Sequence, residues 1–76
     1  MVRIQLDTVD KVKRFIGIST KQDFDINVMD SNERYCVDGK SIMGLFSLNL
    51  SKPLICHLPN EEDERIFADA VKDFRV

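Results

Sequence analysis

The apolar residues of this chain follow two spacings, and the order in which those spacings switch restricts the fold more than any other feature. Val2, Ile4 and Leu6 alternate with Arg3 and Gln5, the mark of a strand buried on one face. Val9, Val12, Phe15, Ile16 and Ser19 then recur at helical spacing behind a cap at Asp7 or Thr8, with Lys11, Lys13 and Arg14 on the wet side. Gly17 weakens that helix by about 1 kcal/mol relative to alanine. The two-residue period returns at Phe24, Ile26 and Val28, giving a second strand that runs out near Met29. Asp30-Ser31-Asn32 reads as a turn. Tyr35-Cys36-Val37 forms a short third strand ended by Asp38-Gly39, and a short helix from Ser41 to about Leu48 stops before Pro53. Leu54 to Leu58 is a fourth strand. Asn60 caps a last helix whose first turn, Glu61, Glu62, Asp63 and Glu64, complements the positive end of the helix dipole. Ile66, Phe67, Ala70, Val71 and Phe74 supply its apolar stripe.

Strand, helix, strand, strand, helix, strand, helix predicts an α+β fold: a four-stranded antiparallel sheet with three helices on one face. Residues 1–76 make a single domain, because a chain this short holds one core and buries only about 60% of its unfolded surface. Apolar residues at 43% beside 32% charge place it among globular proteins rather than disordered ones. A net charge of −2, with no separate Lys/Arg cluster, argues against direct nucleic-acid binding. No apolar stretch approaches the roughly 18 residues of a membrane span. MVRIQLDTVD lacks the apolar centre of an export signal, so the cytoplasm is the expected compartment, with Cys36 and Cys56 reduced. A single histidine, His57, and no CxxC pair predict neither a metal site nor a cofactor. His57 reads as a solvent-facing strand residue without an orienting partner.

Residues 38–50, DGKSIMGLFSLNL, carry the densest information. Ser41 suits an N-cap, its hydroxyl accepting from the Met43 or Gly44 amide, although no Glu or Gln follows to complete a capping box. Leu45 and Leu48 can face the sheet, which points Ile42, Met43 and Phe46 partly elsewhere, with Ile42 and Met43 flanking the cap itself. A flexible thioether beside two large apolar groups suits a docking rim; the alternative is that all three finish packing a small core. A phosphate on Ser41 would sit beside Lys40 and place about two negative charges next to that rim.

Lys40-Ser41-Ile42-Met43-Gly44-Leu45-Phe46-Ser47-Leu48 closely resembles the KSIMG-x-x-SL segment of the HPr family, the histidine-containing phosphocarriers of the bacterial phosphoenolpyruvate:sugar phosphotransferase system. The resemblance implies an open-faced β-sandwich of order βαββαβα. It also implies that Ser41 is a regulatory phosphorylation site for an HPr kinase/phosphorylase. Ile42, Met43 and Phe46, with Lys40 beside them, are implied to contact partners such as enzyme I. The family's phosphocarrier chemistry needs a His-x-Arg-Pro motif between the first strand and first helix. Here Thr8 stands at the histidine position and Asp10 replaces the arginine. An unactivated hydroxyl is a weak nucleophile, and the Asp10 carboxylate would repel a phosphoryl group. The expected function is therefore not enzymatic: a monomeric regulatory or docking module, switched at Ser41, of the kind that partners a transcription regulator in carbon catabolite regulation. Two alternatives stand beside it. One is a phosphocarrier with a displaced acceptor at Thr8 or His57; the other is a homodimeric assembly module joined through the apolar rim.

Overall fold

A computed structural model describes residues 1–76. Its elements are β1 (Val2–Ile4), α1 (Val9–Ser19), β2 (Asn27–Met29), β3 (Cys36–Asp38), α2 (Ile42–Phe46), β4 (Leu54–His57) and α3 (Glu61–Ala70), with a 3-10 turn at Lys72–Phe74. The strands form one antiparallel sheet in the order β1-β4-β2-β3. Directly opposed residues share a face in such a sheet, so the register sorts the side chains. Val2, Cys56, Val28 and Val37 make one row, and Ile4 with Leu54 a second, all on the inner face. Against those rows pack Val12 and Phe15 of α1, Leu45 of α2, and Phe67, Val71 and Phe74 of α3 and the turn after it. The Phe67 ring meets Phe15 edge-on at 5.7 Å and Phe24 at 6.2 Å between centroids. The helices thus share one face of the sheet, and the other face, with Arg3, Ile55, Met29 and Cys36 in a row across it, is open. This is the α+β architecture the spacing predicts.

Element boundaries differ from the apolar pattern in explicable places. Alternating burial persists through Phe24 and Ile26, yet the β2 ladder begins at Asn27; Ile26 is tied in by its C=O, which accepts from Gly39 N–H at 2.7 Å. β1 stops at Ile4 because the chain changes partner: Gln5 N–H donates to Phe74 C=O at 2.8 Å. Residues 74–76 run along the outer edge of β1, where Val76 N–H donates to Arg3 C=O and Arg75 bridges to Ile4. Val9 and Ile66, expected in the buried stripes, are exposed. Val9 is the first residue of α1, ahead of the turn that meets the sheet, and Ile66 lies one position off the Phe67–Val71–Phe74 line. Ser19 keeps its place in the stripe as a wholly buried polar residue, donating to Gly39 C=O at 2.8 Å and Ile16 C=O at 3.3 Å.

Gly17 offers a clean test of local propensity. No atom outside α1 lies within 4 Å of where its Cβ would be. Gly17→Ala is expected to stabilise the domain by about 0.5–1 kcal/mol, raising Tm by several degrees in a calorimetric melt.

Candidate functional site

The site begins with the turn that delivers Ser41. Asp38 Oδ1 accepts from Lys40 N–H at 2.9 Å, and Asp38 C=O accepts from Ser41 N–H at 3.0 Å, reversing the chain as β3 ends. Ser41 then adopts extended backbone (φ −106°, ψ 112°), and its Oγ accepts from Gly44 N–H at 3.1 Å. It is the predicted N-cap. Gly44 permits this closeness: a Cβ there would lie 3.1 Å from Val37 Cβ and 3.3 Å from Ser41 Oγ.

α2 closes sooner than the expected end near Leu48, at Phe46, because Ser47 and Leu48 N–H donate to Gly44 and Leu45 C=O, three residues back. Only Leu45 and Leu48 are buried in this segment. Ile42, Met43 and Phe46 stay 36%, 77% and 44% exposed, so they do not finish the core but form an apolar rim around the serine cap. Lys40 behaves differently from a free docking cation. Its ammonium donates to Gln22 C=O at 2.8 Å, bolting the turn before Ser41 to the segment after α1.

At the other expected position, Thr8 is the cap of α1, its Oγ1 accepting from Lys11 N–H at 3.1 Å. Asp10 is exposed in the first helical turn. Asp7 accepts from Lys11 Nζ at 2.9 Å, and that hydrogen bond holds its carboxyl below the usual range. Thr8 thus lies between Asp7, whose charge Lys11 meets, and Asp10 in sequence, and neither carboxylate favours a phosphoryl group there.

His57 departs from its sequence reading. It lies on the open face, but its Nε2 is buried rather than turned to solvent and makes no hydrogen bond, with Glu33 Oε1 standing 3.4 Å away. Glu33 reaches it from the tight turn between β2 and β3, where it takes the left-handed backbone (φ 57°) that non-glycine residues seldom adopt. Asp30 Oδ1 organises that turn by accepting from the Tyr35 and Arg34 amides, the first of which does most to lower its carboxyl pKa. Nothing in the one-dimensional pattern connects Glu33 to His57, which are far apart in sequence. No cluster of three or more His, Cys, Asp or Glu residues is arranged to hold a metal, and no helix is long and apolar enough to cross a membrane. Compared with protein-family models, curated proteins and solved structures, the chain matches none.

Proposed function

We propose that this protein is an HPr-like docking module of phosphotransferase-type regulation, switched by phosphorylation at Ser41 and not itself a carrier of phosphohistidine. The observation that carries the reading is the exposed rim of Ile42, Met43 and Phe46 set around the Ser41 cap. Such apolar surface has a reason to be exposed if a partner covers it. A phosphate on Ser41 would put about two negative charges beside these side chains and change which partner they accept. Supporting the loss of phosphocarrier chemistry, Thr8 uses its hydroxyl as a helix cap between Asp7 and Asp10. The kinase/phosphorylase, enzyme I-like proteins and a transcription regulator are the partners this reading proposes, in the cytoplasm.

Incubation with HPr kinase/phosphorylase, ATP and magnesium tests it. One phosphate is expected on Ser41 by mass spectrometry and none on the Ser41→Ala variant; an unmodified Ser41 would sink the switch. Met43→Glu is expected to lower kcat/KM for that phosphorylation at least tenfold, while stability changes by no more than about 0.5 kcal/mol, because the side chain is mostly exposed. The competing reading, with His57 as acceptor, draws on the Glu33 carboxylate beside it, but a carboxylate at that distance repels an incoming phosphoryl group. Labelled phosphoenolpyruvate with enzyme I separates the two readings, since label on His57 would favour the carrier.

A further inference from the structure

The two margins of the sheet differ. The β1 margin is occupied by residues 74–76, whereas nothing pairs with the outer side of β3. The bonds from Gly39 N–H to Ile26 C=O and from Asp30 N–H to Tyr35 C=O fix the phase of the β2–β3 ladder. In an antiparallel ladder that phase turns Val37 toward β2 and leaves the backbone groups of Cys36, together with Asp38 N–H, pointing outward. Cys36, Asp38 and Arg34 are all exposed, and Tyr35 is 67% exposed despite its size.

From this edge we infer that the protein self-associates through β3, two copies pairing antiparallel about a two-fold axis at Cys36 to make one continuous sheet. The charges select that register. Centred on Cys36, each Asp38 lies opposite the other copy's Arg34, and each Asp38 N–H meets the other copy's free Arg34 C=O. Centred on Asp38, the two Asp38 carboxylates would oppose each other. Centred on Val37, each Asp38 would face a Cys36 and meet no opposite charge. A single-sign edge would repel its own copy, as charged edges commonly do; this one is self-complementary. Tyr35 gains Val37 of the second copy as its cross-strand neighbour, which accounts for an aromatic ring left bare on a strand margin. A strand this short buries little area, so the association is transient and needs high protein concentration. The edge adjoins the Ser41 turn through Asp38 but presents outward backbone rather than the Ile42, Met43 and Phe46 side chains, and the Met43→Glu arm below separates the two surfaces.

Sedimentation equilibrium and bis-maleimide cross-linking of the reduced full chain across a concentration series test it. Directly opposed Cys36 residues would have Cα atoms about 5.5 Å apart, within reach of a short cross-linker. Cys56 cannot substitute, being buried with its thiol pushed up to about 12. We expect mass rising toward the dimer with concentration, and a cross-linked species that Cys36→Ser abolishes. Arg34→Asp should weaken association at least tenfold, whereas Arg34→Lys, which keeps the charge opposite Asp38, should leave it within about twofold of wild type. Arg34 adds to the fold's hydrogen bonds only through its backbone N–H, so Arg34→Asp leaves the fold intact. High salt should weaken the wild-type association independently of any variant. A chain that stays monomeric throughout, or association that Met43→Glu abolishes and Arg34→Asp does not, would overturn the inference.

Discussion

Phe67→Ala is expected to lower unfolding free energy by about 3–5 kcal/mol, the range for a large aromatic removed from a packed core. At roughly 0.05–0.15 kcal/mol per residue, a chain of 76 residues has about 4–11 kcal/mol in all, so this single truncation leaves it barely folded. The effect is large because Phe67 is fully buried and is the shared ring of two edge-to-face contacts, with Phe15 from α1 and Phe24 from the segment before β2. Chemical denaturation with circular dichroism measures it. Met43→Ala is the contrast, another apolar truncation expected within about 0.5 kcal/mol of wild type because its side chain stands in solvent. A mild Phe67→Ala would mean the helical layer is held by something other than this aromatic trio.

Gly39→Ala should cost about 1–3 kcal/mol, the penalty for overfilling a packed interior. A Cβ at Gly39 would lie 2.5 Å from Ile26 Cγ2 and 3.1 Å from Ile26 C=O. Ile26 is buried and cannot swing aside. The same glycine donates its N–H to Ile26 and accepts the Ser19 hydroxyl on its C=O, so displacing it loosens two buried hydrogen bonds together. Two residues later stands Ser41, so Gly39→Ala is also expected to disturb the cap, seen as faster amide exchange at Gly44. Set against Gly17→Ala, the same added methyl group acts with opposite sign. Surrounding space decides the outcome, not glycine's helix propensity alone.

How far a one-dimensional pattern reaches is visible in the same residues. The alternation at Val2, Ile4 and at Val28 was legible because a half-buried strand imposes a period of two, and Ser41 because a serine before an apolar helix has a defined capping geometry. Ser19 looked like one more member of an apolar stripe. Its role as a bolt to the Gly39 carbonyl depends on a loop twenty positions onward, which no local period encodes. Lys40 looked like a cation free for a partner, and only the packing of its turn against Gln22 reveals where its ammonium goes. The Glu33–His57 approach was hidden for the same reason, since it is made by a turn folding across a face. Local periodicity carries which side of an element is buried; the contacts that lock loops to one another belong to tertiary geometry.

The short tail from Phe74 to Val76 has a consequence for how large any assembly can become. With that side of the molecule already satisfied, strand-to-strand addition has one docking margin to use, and a partner joined there consumes it on both molecules. Pairing of the proposed kind would therefore stop at two molecules, without the second growing end that open-ended cross-β stacking uses.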